Sequence, residues 1–192
     1  MLRILVLLFS VFLFSCKRNK VNEPLLNNAV TESTKESFFP VSNYIKGQLI
    51  EIKNGGINPV KYITVNDHTD SSWIKMEELS KETAPFLEDN IDTANLVSFF
   101  SEKKFLDQTL NAYTFTYDPI GKLPDNISLR HWDVYVDPVS NRVKRIYIIK
   151  SKGDHTTQLT WQSDEWCKIV FIVTDKNGKS SVEKDVLIKW DF

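Results

Sequence analysis

The residues best suited to chemistry lie in one short segment, Asp67-His68-Thr69-Asp70. An imidazole between carboxylates can bind a metal ion or act as a general acid or base, as a hydrolase would require. The same residue types are common in any loop between a strand and a helix, where Asp70 could simply cap the helix. Zinc needs three or four ligands, and neither His131 nor His155 has ligand spacing to this segment. We therefore predict no metal site and treat the segment as a candidate polar cluster formed by Asp67, His68 and Asp70.

A second candidate for chemistry is His131-Trp132-Asp133. Side chains alternate along a strand, so His131, Asp133 and Tyr135 would share the face opposite Trp132. This polar stripe could line a cleft, but it is more typical of the solvent-facing side of a sheet whose other side is buried. The sequence has no Gly-rich phosphate loop, no G-x-S-x-G, no H-E-x-x-H and no C-x-x-C. We therefore predict no catalytic residue and no cofactor. The missing motifs make an enzyme less expected without excluding one.

Cys167 is the cysteine within the body of the chain, and it stands in the strand-like stretch EWCKIVFIV. A buried thiol acts there as a small hydrophobic group. A nucleophilic cysteine needs a nearby base and an activating environment, and the sequence shows neither. We expect Cys167 to be a core residue.

The amino-terminal residues have the pattern of a targeting signal. The run from Ile4 to Phe14 is almost entirely apolar, but it is shorter than the about 20 residues that a membrane-spanning helix needs. Leu13-Phe14-Ser15-Cys16 resembles the lipobox of bacterial lipoproteins, in which the chain is cut before the cysteine and the cysteine then carries acyl chains such as palmitate. The resemblance implies a signal peptide at residues 1–15 and lipidation of Cys16. Because Lys17 is not Asp, it also implies an outer-membrane anchor.

The residues behind the predicted anchor bear on orientation and tethering. Some bacteria export lipoproteins to the cell surface through acidic residues behind the cysteine, whereas Lys17, Arg18 and Lys20 are basic. We therefore expect the protein to face the periplasm. Residues 16–37 are polar without a sustained period, which predicts a flexible tether ahead of a single domain at 38–192. The formal charge of −1 argues against nucleic acid as the partner.

Hydrophobic periodicity predicts helices in the first part of this domain. Apolar residues fall near one helical face between Pro40 and Gly55, and NPVKYITVN then reads as a short strand. A second helix is expected to open at Ser71 or Ser72 and to break at Pro85. The stretch TANLVSFFSEKKFLDQTL is expected to continue as helix.

The period changes to two after Leu110, which predicts strands. The alternating stretches are NAYTFTYDP, RHWDVYVDP, RVKRIYIIKS, TQLTWQS, EWCKIVFIVTD and VEKDVLIKWDF. Short turns join them, and Asn177-Gly178 is the strongest hairpin signal among these turns. Short turns make neighbouring strands antiparallel. The prediction is an α+β fold, with amino-terminal helices packed on a roughly six-stranded antiparallel meander.

Tryptophan is conspicuous among the residues that could contact a ligand or partner. The sequence holds five, and four of them fall in predicted strands: Trp132, Trp161, Trp166 and Trp190. Such residues pack in cores or across strands, or else they form an aromatic surface for a partner or line a cleft for a lipid-like or glycan-like ligand. Trp161 and Trp166 flank one tight turn and could meet as a cross-strand pair.

Two weaker resemblances complete the functional expectation. WDVYVDPVSNRVKRIYI looks like the strand-turn-strand of PepSY-like modules, although the usual turn Gly is absent, and the whole chain resembles small lipoproteins of Bacteroidota-type bacteria, a grouping that implies no activity. We therefore expect a lipid-anchored envelope protein that binds an envelope protein or another envelope component without catalysis. The alternatives are a periplasmic carrier of a lipid-like ligand under a curved sheet and a hydrolase that uses Asp67 to Asp70.

Overall fold

The computed structural model describes residues 38–89, 91 and 96–190, which form a mainly β structure. Its helices are α1 (Val41–Asn54), α2 (Met76–Glu82) and a 3-10 helix at Ala84–Phe86. Its strands are β1 (Val60–Val65), β2 (His68–Trp73), β3 (Phe100–Asp107), β4 (Ala112–Pro119), β5 (Leu129–Val136), β6 (Val143–Lys152), β7 (His155–Gln162), β8 (Trp166–Thr174) and β9 (Ser180–Lys189). The predicted signal peptide (1–15), the predicted lipidated Cys16 and the predicted tether (16–37) lie outside the described residues.

All nine strands belong to one antiparallel sheet with the order β2-β1-β9-β8-β7-β6-β5-β4-β3. The antiparallel meander predicted after Leu110 is confirmed as β4 to β9. The predicted strand number of six is too low, because β1, β2 and β3 extend the sheet on both sides. The helix predicted after Pro40 is confirmed as α1.

The helix predicted to open at Ser71 or Ser72 is wrong at its start. These residues lie in β2, which pairs with β1 along its whole length. The turn between the two strands is Asn66-Asp67, and both residues have positive φ values, 47° and 63°. Consecutive left-handed residues of this type make the tight hairpin turn that matches the twist of the strands. Helix α2 therefore begins only at Met76.

The helix predicted to continue towards Leu110 is also wrong. The chain forms β3 from Phe100 to Asp107 and returns as β4. The Asp107 carboxylate accepts the backbone N–H groups of Thr109 at 2.8 Å and Leu110 at 3.0 Å, and this local hydrogen bonding favours a turn. Pairing with β4 and this turn outweigh the weak helical period of the segment.

The core lies between the helices and one side of the sheet. Trp132 is fully buried and stacks on Tyr117 with a centroid distance of 4.4 Å, while the ring of Phe100 lies 4.8 Å away. Trp161 contacts Phe86 of the 3-10 helix at 5.3 Å, and both are fully buried. The same cluster includes buried residues of α1 such as Val41 and Ile45. Among the described residues, no helix has both the length and the apolar character needed to cross a membrane.

Candidate binding surface

The strands have a second side, formed by the side chains that alternate with the core residues, and we call it the open face. The pairing register aligns one row of these side chains across the sheet: Lys103, Thr116, Asp133, Tyr147, Thr160, Lys168, Leu187 and Tyr62. Nearly all of them are partly or fully buried by their neighbours along and across the strands. The open face is therefore a continuous surface whose side chains are held by one another.

A hydrogen-bonded cluster occupies the open face of β4 and β5, and we call it the His131 network. His131 lies between two carboxylates, with Nδ1 at 2.9 Å from Asp118 Oδ1 and Nε2 at 3.0 Å from Asp133 Oδ2. Asp133 also accepts the Thr116 hydroxyl at 2.6 Å and the Tyr135 hydroxyl at 3.0 Å. Beyond these residues, Lys103 Nζ of β3 lies 3.1 Å from Asp118 Oδ2. The network thereby links three neighbouring strands.

The geometry of the network indicates that His131 is positively charged. Ionised carboxylates only accept hydrogen bonds, so both ring nitrogens facing them must donate. The hydrogen bond to Asp133 accordingly raises the pKa of His131, against the opposing effect of burial. The hydrogen bond from His131 lowers the pKa of Asp118. Together with Lys103, two positive and two negative charges lie within one connected group.

Asp133 is the most buried carboxylate of the network, with 8% of the residue exposed. Burial alone would raise its pKa, but the hydrogen bonds from His131 and Thr116 outweigh burial and lower it. Burial also raises the pKa of Tyr135 to about 12, so this phenol stays neutral and donates. The Tyr147 ring packs edge-on against the His131 ring at 6.5 Å. The network is thus saturated with internal partners, and neither nitrogen of His131 is available to act as a base.

We expect the His131 network to make folding stability fall at alkaline pH. The pKa of His131 is raised in the folded chain above its ordinary value of 6.5. Its stabilising contribution is therefore complete below that value and is lost as the pH rises through the raised one. The variant His131→Gln should lack this alkaline loss and should be less stable by about 2 kcal/mol at acidic pH, because Asp133 loses a charged partner. Urea unfolding between about pH 6 and pH 9, followed by tryptophan fluorescence, measures both effects.

His155→Gln is the matched control for this substitution. The His155 side chain is 64% exposed beside Asp154, outside the network. Its replacement should leave both the stability and its pH profile close to those of the parent chain. An unchanged alkaline slope in His131→Gln would show that the network does not couple folding to pH.

The predicted polar cluster of Asp67, His68 and Asp70 does not line a cleft. Asp67 forms the β1–β2 turn, and His68 and Asp70 lie exposed on β2. Asp70 belongs to a strand and so does not cap a helix. Within the described part of the chain, no three His, Cys, Asp or Glu side chains come together in a way that could hold a metal ion. The segment that looked like a loop before a helix is a hairpin, whose turn also favours Asn, Asp, Thr and Ser.

Of the four tryptophans predicted as a possible partner surface, three lie in the core and one lies on the open face. Trp132 and Trp161 are 0% exposed and Trp190 is 3% exposed, so these three pack in the core and present no partner surface. Trp166 is half-buried on the open face. It pairs with Gln162, and Trp161 pairs with Cys167, so Trp161 and Trp166 lie on opposite faces rather than together. The predicted cross-strand pair of Trp161 and Trp166 is therefore wrong, because the register is offset by one residue and places the two side chains on opposite faces.

Trp73 is the fifth tryptophan of the chain, and it is 69% exposed. It shares a row of the open face with Trp166 through Val60 and Lys189. The sequence carried no signal for this exposure, because Trp73 fell in a segment predicted to be helical and β2 has no apolar alternation. Trp73 and Trp166 therefore give the open face its aromatic end.

Cys167 is a core residue, as its surroundings in the sequence predicted. It is 0% exposed, and burial raises the pKa of its thiol far above the ordinary range. A thiol in this state is a poor nucleophile because the thiolate is the reactive form.

Sequence reasoning placed His131, Asp133 and Tyr135 on one face but missed Asp118 and Thr116. The alternation of Tyr113, Phe115 and Tyr117 already put the intervening residues on the other side of β4. Only the pairing register brings them opposite β5, where Thr116 faces Asp133 directly. The missing information was therefore the register and not the parity.

Comparisons with known proteins were made by family model, by sequence and by structure. The chain matches no protein-family model. It also matches none of the curated proteins and none of the solved structures with which it was compared. The resemblances to lipoproteins and to PepSY-like modules therefore rest on the residues quoted for them.

Proposed function

We propose that this protein is a lipid-anchored module of the bacterial outer membrane that faces the periplasm and binds an envelope protein or another envelope component without catalysis. The observation that carries the proposal is the open face, on which the His131 network joins β3, β4 and β5 at one end of the sheet. Side chains already fixed by internal hydrogen bonds lose little conformational entropy when a partner docks, so the free protein is prepared for binding. The lipobox-like sequence around Cys16 supports the anchor.

The composition of the open face supports recognition of a macromolecule. Four of its aromatic side chains are half-buried and flanked by lysine, threonine and glutamine: Tyr62, Tyr135, Tyr147 and Trp166. Tyrosine and tryptophan combine a large apolar area with a polar tip, and they are enriched where proteins bind one another. The neighbouring Lys168 pairs with Asp185 at 3.4 Å, so part of the charge on this face is already balanced.

The chemistry of the reactive side chains favours binding over the hydrolase alternative. Both nitrogens of His131 contact carboxylates. Cys167 is enclosed in the core, and the Asp67 to Asp70 segment is an exposed hairpin without a converging base. General acid–base catalysis requires a positioned group that can exchange a proton with a substrate, and these groups do not offer one.

The packing of the core favours binding over the carrier alternative. A carrier needs an apolar cavity of a few hundred Å³ for its ligand. Between the helices and the sheet, that space is taken by fully buried large side chains, among them Trp132, Trp161, Phe86 and Phe100. The apolar hollow of about 310 Å³ beside Phe105, Leu106 and Tyr113 lies at the end of the sheet and not under it.

Site-specific photo-crosslinking in the native host tests the proposal. A photoreactive amino acid would replace Gln158 or Thr160, which lie at the middle of the open face on β7. The matched control is Ile50, which is 59% exposed on α1. We expect discrete adducts with envelope material that are several-fold stronger from the two sheet positions than from Ile50. Adducts that form equally at all three positions, or mainly at Ile50, would contradict the proposed binding face.

A further inference from the structure

Strand β3 ends the sheet on one side within the described part of the chain. Its eight residues pair with β4 along one edge, and the strand order stops there. Phe105 and Leu106 on this strand are 50% and 48% exposed. An edge strand of this length with exposed apolar side chains is a template for pairing with another strand. The outward-facing backbone groups of β3 determine which strand can pair with it.

The hydrogen-bonding phase of β3 follows from one bond at its beginning. The Ile120 N–H donates to the Phe99 carbonyl at 2.9 Å, in step with the pairing of Phe100 with Pro119. Hydrogen-bonded and non-hydrogen-bonded pairs alternate along an antiparallel ladder. The backbone groups of Ser101, Lys103 and Phe105 therefore point towards β4. The outward N–H and C=O groups belong to Glu102, Lys104 and Leu106, together with the C=O of Phe100, whose own N–H donates to the Leu96 carbonyl at 3.2 Å.

We propose that this edge pairs with the same edge of a second copy of the chain, in an antiparallel register that places Lys103 opposite the partner's Lys103. In this register Glu102 lies opposite the partner's Lys104, and Lys104 lies opposite the partner's Glu102. Phe100 then lies opposite the partner's Leu106. Each outward-bonding residue meets another outward-bonding residue, as a two-fold antiparallel ladder requires.

Charge complementarity selects this register over its neighbours. Moving the partner by one step that keeps the ladder in phase places Lys104 opposite Lys104, and the opposite step places Glu102 opposite Glu102. Like charges directly opposite one another destabilise a strand pair, whereas opposite charges stabilise it. The register centred on Lys103 is therefore the self-complementary one.

The charges of each chain are already arranged to tolerate this contact. Lys104 Nζ lies 2.8 Å from Glu102 Oε1, and two such pairs side by side give four charges of alternating sign. Lys103 would face its own copy, but its ammonium lies 3.1 Å from Asp118 Oδ2 within its own chain. The carboxylate of Asp118 reduces the repulsion between the two lysines.

The consequence for binding goes beyond the function proposed above. Residues opposite each other in an antiparallel pair point to the same face. The two sheets would continue into one another with both open faces on the same side. A partner that recognises the open face would thus meet two copies of it on one surface, which strengthens binding through multivalency.

Cysteine crosslinking tests the register directly. The test uses the full chain in detergent with Cys16→Ser, so that the buried Cys167 is the remaining native thiol. In the proposed dimer, Lys103→Cys places two thiols on directly opposed residues, whose Cα atoms lie about 4.5 Å apart, within disulfide range. Lys104→Cys is the matched control, because its copies are diagonal neighbours about 8 Å apart, too far for a disulfide. We expect copper phenanthroline to give a covalent dimer with Lys103→Cys and not with Lys104→Cys.

Sedimentation equilibrium in density-matched detergent provides the second measurement. The chain without introduced cysteines should reach a dimer, and Lys104→Glu should raise the dimer dissociation constant at least about tenfold by placing two carboxylates opposite each other. The Lys104 side chain is 61% exposed, so this variant should fold normally, as circular dichroism can check. A monomer at all concentrations would overturn the proposal. So would crosslinking of Lys104→Cys as fast as that of Lys103→Cys.

Discussion

Replacing Trp132 with alanine is expected to lower the free energy of unfolding by about 4 kcal/mol. The residue is 0% exposed, and its ring stacks on Tyr117 at 4.4 Å and contacts Phe100 at 4.8 Å. Truncation removes these contacts and leaves a cavity beside Phe38, whose ring lies 5.8 Å from that of Trp132, and the surrounding side chains can fill it only in part. Urea unfolding monitored by circular dichroism measures the loss.

The control for this variant is Trp73→Ala, which makes the same substitution at an exposed site. Trp73 is 69% exposed on the edge strand β2, so its loss should cost less than about 1 kcal/mol. The two variants together separate tryptophans that build the core from those that remain on the open face. Equal losses of stability in both would mean that the faces of the sheet are assigned incorrectly.

The meander could be predicted from the sequence because each of its strands shows a strand-like hydrophobic pattern within its own residues. β4 and β5 alternate apolar and polar side chains, and Asn177-Gly178 marks a tight turn by its residue types. These signals are local, so they remain readable without knowledge of the partners. The outer strands are different, since β2 (His68–Trp73) is exposed at every residue and carries no apolar alternation at all. Its strand conformation comes from pairing with β1 and from the left-handed turn at Asn66-Asp67.

Strand β3 shows how tertiary pairing can override a local pattern. Leu96, Phe99 and Phe100 are spaced as on a helix, yet the first two precede the strand and Phe100 begins it. Phe100 enters the core against Trp132, and the following residues pair with β4. A short apolar run fits a helix or a strand equally well by period, and the contacts that decide come from residues far along the chain.

The sequence could predict which residues of β5 share a face at the candidate site, but it could not predict which residues of the neighbouring strands join them. Parity alone placed His131 and Asp133 together, because they are two residues apart on one strand. The second carboxylate, Asp118, comes from β4, and its distance from His131 depends on the pairing of the two strands. A slip of one residue in that pairing would send Asp118 to the core side and leave His131 with one partner. The charge state of His131, and with it the pH dependence expected above, therefore follows from the register.

The variant Cys16→Ala is expected to lose nearly all membrane association. The prediction follows from the lipobox-like residues Leu13 to Cys16, which imply acyl chains on this cysteine. Each buried methylene contributes about 0.8 kcal/mol to membrane binding, so two or more acyl chains hold a protein firmly. A protein without acyl chains is held only by its surface contacts. The measurement is the fraction of protein that stays with the membranes after a carbonate wash, together with incorporation of labelled palmitate.

Cys167→Ala is the matched control for the anchor, because it removes the other cysteine of the chain. Cys167 is buried in the core, so its truncation should lower stability modestly while membrane association and palmitate labelling remain. Basic residues behind Cys16 could attract anionic head groups by about 1 kcal/mol each, and that attraction weakens with salt, whereas an acyl anchor persists. The decisive comparison is therefore made at high salt. If Cys16→Ala still sediments with the membranes at high salt as fully as Cys167→Ala does, the lipid anchor is absent. Binding through the open face would then take place without a membrane anchor at Cys16.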